Sequence, residues 1–364
     1  MSSALKAGIV GLPNAGKSTL FNALTASSVP AEGYPFTTID PNIGVVEVPD
    51  PRLDRLFALI RPPHSVPAVE EFVDIAGLVA GAHRGEGLGN RFLSHIREVQ
   101  ALVHVVRCFD DANVAHPSGS VDPTRDVATV ETELLLADLE TVEKRLDRVE
   151  RTARSGDRAA RAEADLLRRV KFAVEEGRAV RDMAFEQADV APIRHLSLLT
   201  QKKVLYVANI GELDLPSGGE RVAELRSHVD PSPVVIIASE LEAQLRGLPA
   251  QERDEYMAAV GLEDSGVDRL LRATYDLLGL VTFFTFNEKE VRAWTLRRGA
   301  LAPEAAGVVH SDFRDRFIRA EAVAFRDLDR VGSLKGVRDE GLIRMEGRDY
   351  VVQDGDILLF RTQP

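Results

Sequence analysis

The sequence predicts an α/β protein built from three parts. Residues 1–122 and 200–279 contain apolar runs of strand character that alternate with helix-forming stretches, which is the pattern of an α/β domain. Residues 123–199 change to long charged helices, and residues 280–364 alternate short β-patterned runs with one helix. We therefore expect one α/β domain that is interrupted by a helical insertion and followed by a smaller β-rich domain.

The first loop of the α/β domain matches a phosphate-binding motif. Residues 11–18 read G-L-P-N-A-G-K-S, which fits G-x-x-x-x-G-K-[S/T], and they join a short apolar strand at 7–10 to a helix-forming stretch. Glycines let consecutive backbone N–H groups surround phosphate oxygens, and the helix N-terminus adds a positive dipole. We expect Lys17 to contact the β- and γ-phosphates and Ser18 to ligate Mg²⁺. The predicted nucleotide contacts of this loop are Asn14, Ala15, Gly16, Lys17, Ser18 and Thr19.

Two later segments have the order and spacing of a switch-type NTPase. A polar loop at 33–39 contains Thr38, and threonines in such loops close on Mg²⁺ and the γ-phosphate. A strand at 68–74 ends in Asp74, and Gly77 completes a D-x-x-G element whose acid holds the metal through water and whose glycine N–H contacts the γ-phosphate. The predicted metal ligands are therefore Ser18, Thr38 (with Thr37 as its alternative) and Asp74, and the predicted catalytic groups include Lys17 and Gly77.

The base-recognition element departs from that of a guanine-specific protein. The strand at 203–208 is followed by Asn209-Ile210-Gly211-Glu212, where a GTPase of this type has Asn-Lys-x-Asp. Because the side chain of Glu212 is one methylene longer than that of Asp, we do not expect its carboxylate to keep bidentate contact with guanine. Asn209 can either bind a purine N7 or tie the strand end to the phosphate loop. The predicted base-side contacts, which permit adenine, are Asn209, Ile210, Glu212 and Ser239.

The residue that orients the attacking water in many such proteins is missing. The position after D-x-x-G, often Gln, is Leu78, which can neither donate nor accept a hydrogen bond. Hydrolysis is then slow, or another polar group replaces the Gln. The nearby candidates are His83 in a glycine-rich stretch and His116 in the loop after the strand at 102–106. A surface or packing role is the alternative for each histidine.

The chain resembles the YchF family of Obg-like ATPases over nearly its whole length. The matching strings are GLPNAGKSTLFNAL at 11–24, YPFTTIDPN at 34–42, FVDIAGLV at 72–79, GEGLGN at 85–90, EVRAWT at 290–295 and Asn209-x-x-Glu212. The resemblance implies hydrolysis of ATP in preference to GTP, a hydrophobic residue in place of the catalytic Gln, and association with ribosomes. It also implies that the loop histidine, His116, takes part in hydrolysis. The departures are Gly211 within the base motif and a loop at 238–240 that is only loosely similar to Ser-Ala-Lys.

Asn14 supports a hypothesis about a second ion. In several related switch proteins an asparagine at this position helps to hold K⁺ between the phosphates, where an arginine would otherwise neutralise charge. The loop at 33–39 contains no arginine for that purpose. The alternative is that Asn14 only stabilises the turn of the phosphate loop.

Composition limits the location and the partners of the chain. Its 364 residues contain one cysteine, Cys108, which excludes an intramolecular disulfide and follows an apolar strand, so we expect a buried thiol. The first six residues do not resemble a signal peptide, and no apolar run is long enough to span a bilayer. We therefore expect a cytoplasmic monomer without membrane contact. A net charge of −12 argues against bulk binding to DNA or RNA, so any RNA contact must be local.

The insertion has the pattern of an antiparallel coiled-coil hairpin. One apolar seam has 4-3-4-3 spacing, a second seam follows, and Ser155-Gly156-Asp157 supplies a turn between them. Residues 144–169 hold nine basic and five acidic side chains, a local charge of +4 that suits either RNA contact or an ordinary solvated helix face. The seam residues are Leu135, Leu139, Val142, Leu146 and Val149, then Leu167, Val170 and Val174.

The C-terminal part resembles a TGS domain, a ubiquitin-like β-grasp module. Residues 281–286 and 291–296 are predicted to form a hairpin, 302–306 to open a helix, and 350–360 to contain two strands around an Asp-Gly-Asp turn. The region has no catalytic constellation, so we interpret it as a docking module. Trp294 is predicted to lie in its core rather than to stack on a base.

The predicted fold is an α/β P-loop NTPase of the Ras-like G-domain type with a coiled-coil insertion and a C-terminal β-grasp domain. The predicted function is a ribosome-associated ATPase that converts ATP to ADP and phosphate with Mg²⁺, contacts rRNA or ribosomal protein, and regulates translation or a stress response. One alternative is a guanine-specific translational GTPase in which Glu212 contacts the base. The other is a nucleotide-stabilised ribosome-binding module in which hydrolysis is incidental.

Overall fold

The structure is a computed structural model of the chain, and it describes residues 5–26, 42–75 and 88–363. Within these ranges the strands form two six-stranded sheets. No helix of the described ranges is long and apolar enough to cross a membrane. The strands are β1 (Lys6–Val10), β2 (Ile43–Val48), β3 (His64–Val66), β4 (Ala68–Asp74), β5 (Ala101–Arg107), β6 (Lys203–Asn209), β7 (Val234–Ile237), β8 (Leu280–Phe286), β9 (Glu290–Arg297), β10 (Phe317–Ala324), β11 (Arg344–Glu346) and β12 (Asp356–Thr362).

The helices flank the first sheet, build the insertion and cover the second sheet. They are α1 (Lys17–Thr25), α2 (Pro51–Ile60), α3 (Leu88–Glu98), α4 (Pro123–Ala153), α5 (Arg158–Glu175), α6 (Gln187–Leu196), α7 (Gly219–Val229), α8 (Ser239–Leu245), α9 (Ala250–Ala259), α10 (Gly266–Leu278), α11 (Ala302–Val309), α12 (Ser311–Asp315), α13 (Phe325–Val331) and α14 (Leu334–Asp339). Short 3₁₀ helices cover Val180–Asp182, Leu199–Gln201 and Glu212–Asp214.

The first sheet has the order β2-β4-β1-β5-β6-β7 and is parallel except for β2. Its central strand β5 is buried along its whole length, as expected for a parallel strand covered on both faces. Val103 and Val105 belong to the core that includes α1 and α10, whereas Leu102 and Val106 belong to the core that includes α3, α4 and α7. This arrangement confirms the predicted P-loop NTPase fold and brings the carboxyl ends of β1, β4, β5 and β6 to one edge.

The insertion is a helical hairpin whose root belongs to the α/β domain. Asp157 caps α5 by accepting the N–H groups of Ala159 and Ala160, so the chain reverses directly after α4. The predicted seam residues pack together along the hairpin, with Val142 and Val170 fully buried. The first half of α4 instead packs on the first sheet, because apolar residues at 127–137 join the core that contains Leu102. The first half of α4 therefore belongs to the core of the α/β domain, although the sequence assigned residues 123–199 to the insertion alone.

A buried carboxylate fastens α4 to the chain that returns from the insertion. Asp138 is fully buried and accepts hydrogen bonds from the N–H of Leu199 at 2.7 Å and from the N–H and hydroxyl of Thr200 at 2.8 and 2.7 Å. Burial raises the pKa of Asp138, while the hydrogen bonds from Thr200 and Leu199 oppose that rise. The point where the chain leaves the α/β domain is thus joined to the point where it returns.

The second sheet has the order β11-β10-β12-β8-β9-β3. The predicted hairpin is present as β8 and β9, and α11 begins at Ala302 as predicted. The prediction of a strand from Tyr350 is wrong: Val351 makes only a single bridge to Leu301, and the strand begins at Asp356. Trp294 is partly buried, and its ring stacks on Phe283. Assignment of this domain to the TGS class stays a prediction.

One strand of the second sheet comes from the α/β domain. Residues 64–66, which the sequence assigned to the nucleotide-binding part, form β3 and pair in parallel with β9. The cause is packing: Leu53 and Leu56 of α2 are buried in the same core as Phe284 and Val291 of β8 and β9. The segment between β2 and β4 is therefore part of the junction between the two sheets.

Two arginines of α2 form ion pairs with the second domain at this junction. Arg52 donates to both carboxylate oxygens of Asp50 and lies 2.7 Å from the carboxylate of Asp354 in the second domain. Arg55 makes a second ion pair with Asp329, but both of its partners are about half exposed. The Arg52 guanidinium also lies 5.5 Å from the centre of the Phe284 ring.

We expect Arg52→Ala to lower the free energy of unfolding by roughly 1–3 kcal/mol, because two carboxylates lose charge-assisted hydrogen bonds. The matched variant Arg55→Ala removes an exposed ion pair of the same helix and should cost no more than about 1 kcal/mol. Urea unfolding of the full chain measures both values. Equal effects of the two variants would show that Arg52 has no special part in the junction.

Candidate functional site

The phosphate loop leaves the N-terminus of α1 open. Gly16 precedes the helix with a φ of 96°, Asn14 has a φ of 63°, and no side chain caps the first turn. The first turn also contains no acidic residue. The free N–H groups and the helix dipole are therefore available to an anion, as the motif predicts.

Lys17 is buried within this loop. It is 7 % exposed, and its ammonium group donates to the carbonyl of Leu12 at 2.7 Å. Burial lowers the pKa of Lys17 to about 8, and the nearby carboxylate of Asp74 opposes this change. Phosphate oxygens next to the ammonium would favour its charged form, so ligand binding and protonation of Lys17 are coupled.

Ser18 and Asp74 supply oxygen atoms on the other side of the loop. The Ser18 hydroxyl donates to the Asp74 carboxylate, and burial raises the pKa of Asp74 while Lys17 and Ser18 oppose that rise. A hydroxyl and a carboxylate in contact, next to a phosphate-binding loop, are the hard oxygen donors that Mg²⁺ prefers. These residues fit the predicted metal. The other predicted residues of this part of the site, Thr38, Gly77, Leu78 and His83, lie outside the described residues.

Asn209 ties the end of β6 to the phosphate loop. Its amide nitrogen donates to the carbonyl of Ala15 at 2.9 Å, and its amide oxygen accepts the N–H of Ser239 at 3.1 Å. A side chain at Gly16 would lie 2.1 Å from the Asn209 amide nitrogen, so glycine is required there. Of the two roles considered for Asn209, the structure has the tie rather than a free amide. The Ser239 hydroxyl is buried without a hydrogen-bond partner among the described residues and remains available to a ligand.

Two of the residues predicted to contact the base, Ile210 and Glu212, contact other parts of the protein. The Ile210 side chain is 4 % exposed and packs in the core around Leu102, so it does not face the site. The Glu212 carboxylate accepts a hydrogen bond from the hydroxyl of Tyr256 in α9. Sequence reasoning missed Tyr256, because no local pattern relates α9 to the base motif.

His116 lies in a loop that is fastened to the phosphate loop. The Asn14 amide donates to the carbonyl of Ala115 at 2.9 Å, and Arg107 at the end of β5 donates to the carbonyl of Val114 at 2.9 Å. The His116 side chain is 5 % exposed and contacts Asp126 of α4. The sequence predicted neither the Asn14 contact nor the role of Arg107; the only available signal was a charged residue at the end of an apolar strand.

Cys108 follows Arg107 and is buried, as predicted from its position after an apolar strand. Burial raises the pKa of its thiol to about 12. The thiol is therefore protonated at neutral pH and is a poor nucleophile.

Comparison with family models identifies two regions of the chain. Residues 6–148 match the model MMR_HSR1, described as "50S ribosome-binding GTPase". Residues 280–363 match the model YchF-GTPase_C, described as "Protein of unknown function (DUF933)".

Similar proteins span almost the whole chain. The Bacillus subtilis protein named "Ribosome-binding ATPase YchF" is 49 % identical over 362 residues, covering 98 % of this chain and 99 % of that protein. The Escherichia coli O157:H7 protein of the same name is 47 % identical and covers 98 % of both chains. The solved structure titled "Structure of the Schizosaccharomyces pombe YchF GTPase" has a TM-score of 0.89 and 36 % identity, and covers 99 % of this chain and 98 % of that chain.

We expect nucleotide affinity to fall as the pH rises above about 8. The free protein then holds Lys17 increasingly as the neutral amine, because its pKa is about 8, whereas the bound phosphates favour the ammonium form. Binding should therefore take up protons between pH 8 and 9. Calorimetric titration of ADP in buffers of different ionisation enthalpy measures that uptake, and its absence would contradict the lowered pKa.

We expect Asn209→Ala to weaken nucleotide binding roughly tenfold or more, because the phosphate loop and Ser239 lose a shared buried partner. The matched variant is Asn287→Ala in the β8–β9 turn. It removes a side chain of the same type that makes two hydrogen bonds to the backbone, because the Asn287 oxygen accepts the N–H groups of Lys289 and Glu290. Fluorescence titration with a labelled ADP measures both affinities. An equal loss in the two variants would indicate a general effect on stability.

Proposed function

Because the chain belongs to the YchF family of P-loop nucleotide hydrolases, we propose that it hydrolyses ATP to ADP and phosphate and that its nucleotide state controls binding to ribosomes. The observation that carries the first part is that Lys17 and Ser18 both interact with Asp74, Lys17 through its charge and Ser18 through its hydroxyl, beside an uncapped helix N-terminus. This set joins a phosphate-binding cation to two oxygen donors for a metal. The second part follows the printed names of the bacterial relatives.

In the proposed mechanism a water molecule attacks the γ-phosphate in line with the bridging oxygen. Lys17 and the loop amides hold the negative charge of the phosphates. Ser18, Thr38 and Asp74 would hold Mg²⁺, which when bound would neutralise charge on the phosphate oxygens. Gly77 offers its N–H to the γ-phosphate, and His116 assists the water in place of the missing Gln. A K⁺ ion beside Asn14 stays a hypothesis, which hydrolysis rates compared in Na⁺ and K⁺ would test.

The base motif supports a preference for ATP. Glu212 stands where a guanine-specific site has Asp, and its carboxylate is engaged by Tyr256. The Asn209 amide donates to Ala15 and accepts from Ser239, so its role in the structure is the tie to the phosphate loop. The second candidate is a GTPase in which Glu212 contacts guanine, and the printed names of the Schizosaccharomyces pombe structure and of the N-terminal family model favour it.

The hairpin end supports contact with ribosomal RNA. Five exposed arginines there have no acidic partner within the described residues, in a chain of net charge −12. Other basic groups of the hairpin, such as Arg145 and Arg168, are paired with Glu163 and Glu150. We place the protein in the cytoplasm, as a monomer that binds neither DNA nor membrane, with the C-terminal domain as a second docking surface. The five arginines are Arg148, Arg151, Arg154, Arg158 and Arg161.

We expect non-hydrolysable ATP analogues to bind at least about tenfold tighter than the GTP analogues in the presence of Mg²⁺, a difference of about 1.4 kcal/mol. Equilibrium titration of both analogues against the full chain measures this ratio. A preference for GTP would make the second candidate the working model and leave the phosphate chemistry unchanged. Turnover that does not respond to ribosomes, with ribosome binding independent of nucleotide, would favour a binding module with incidental hydrolysis.

A further inference from the structure

Both ring nitrogens of His116 are engaged in hydrogen bonds. The N–H of Ser118 donates to Nδ1 at 3.1 Å, and Nε2 lies 2.8 Å from Oδ2 of Asp126. Because Nδ1 accepts, the ring is neutral, carries its proton on Nε2 and donates that proton to Asp126. In this conformation no nitrogen of the ring is left to accept a proton from water or to donate to it.

Asp126 belongs to the inserted hairpin rather than to the strands of the site. It lies in the first turn of α4, which begins at Pro123 and is capped by Asp122. Asp126 is 3 % exposed, and its other oxygen accepts from Arg125 at 3.2 Å. Arg125 also donates to the hydroxyl of Ser120 at 3.0 Å, so the loop that carries His116 is fastened to the root of the hairpin.

The backbone next to His116 already lies beside the phosphate loop. Ala115 precedes His116, and its carbonyl accepts the hydrogen bond from the Asn14 side chain. Asn14 is part of the phosphate-binding motif. The backbone of this loop is therefore bonded to the phosphate loop, while the imidazole itself is bonded to Ser118 and Asp126. Breaking the contact with Asp126 would free the ring in a loop that is bonded to the phosphate-binding loop.

We propose that Asp126 is a latch that holds His116 in a resting orientation, and that hydrolysis requires this contact to open. This inference rests on the proposed function, in which His116 assists the attacking water. Asp126 acts through His116 and is thus a positioning residue. Since the latch lies in the first turn of α4, a partner that holds the hairpin can shift it and so raise the rate of hydrolysis.

The hairpin is suited to transmit such a shift. Helix α4 runs without interruption from the latch to the basic end, and its residues Val142 and Val149 pack in one core with Val170 of α5. At the root, Asp138 fixes α4 to Leu199 and Thr200. The basic end and the first turn of α4, where Asp126 meets His116, therefore belong to one continuous helix, and this continuity is the route that we propose for the shift.

Removal of the latch tests the proposal directly. We expect Asp126→Ala to raise the basal kcat for ATP roughly tenfold with little change in KM, as is typical for loss of one charge-assisted hydrogen bond. Asp126→Asn keeps a neutral acceptor and should give a smaller rise. Stimulation by ribosomes should shrink in Asp126→Ala, because the histidine is already released. A fall in kcat, or an unchanged kcat, would overturn the latch.

Two controls separate the latch from a general loosening of the loop. Asp122→Ala removes the cap of the same helix, whose carboxylate accepts from Arg125 N–H at 3.0 Å, but does not contact His116, so it should lower the melting temperature without raising kcat. The rise in Asp126→Ala must also vanish in a His116→Ala background. A rise that persists there would show that Asp126 acts by another route, and would overturn the proposal.

A measurement without turnover keeps the latch and the proposed function distinguishable. ¹H–¹⁵N correlation spectra of the nucleotide-free protein report the Nε2 proton of His116. It should exchange slowly with water in the wild type, because Asp126 accepts it, and this slowly exchanging signal should be lost in Asp126→Ala. If the wild type hydrolyses neither ATP nor GTP while this signature is present, the proposed function fails and the contact survives as structure alone. If the signature is absent while hydrolysis proceeds, the latch fails and the proposed function stands.

Discussion

The hydrogen bond from Asn209 to the carbonyl of Ala15 holds the phosphate-binding loop against the end of β6. The same amide accepts the N–H of Ser239, so one buried side chain joins three segments that are far apart in the chain. A buried amide without hydrogen-bond partners lowers the stability of the fold, and here the nitrogen and the oxygen of the Asn209 amide each have a partner. Gly16 permits the contact, because a Cβ atom there would occupy the position of the amide.

The geometry of the phosphate site follows from this anchor and from the parallel sheet. Parallel strands present their carboxyl ends at one edge, where the loop after β1 meets Asp74 at the end of β4. Burial then alters the chemistry of the groups collected there: the pKa of Lys17 is lowered and that of Asp74 is raised. Burial makes the charged form of each group less stable, and a bound phosphate next to Lys17 and a metal next to Asp74 would favour those charged forms.

The three parts of the molecule share structural elements. Helix α4 contributes its first half to the core of the first sheet and its second half to the hairpin. Strand β3 extends the second sheet, although it lies in the chain between β2 and β4 of the first sheet. In chain order, the two segments predicted to sense the γ-phosphate precede β2 and follow β4. The neighbouring strands β2 and β4 contribute Val48 and Ala68 to the core that contains Leu53 and Phe284, so both strands contact the second domain.

Local patterns in the sequence determined much of this protein by themselves. The G-x-x-x-x-G-K-S motif specified the loop between β1 and α1, and the 4-3-4-3 spacing specified the buried seam of α4 and α5, because both depend on residues close together in the chain. Only the tertiary structure decided the pairing of β3 with β9, the contact of Glu212 with Tyr256 and the bond between His116 and Asp126. The physical reason is that these contacts join groups whose approach is set by packing of whole helices and sheets, which leaves no periodic signal in the sequence.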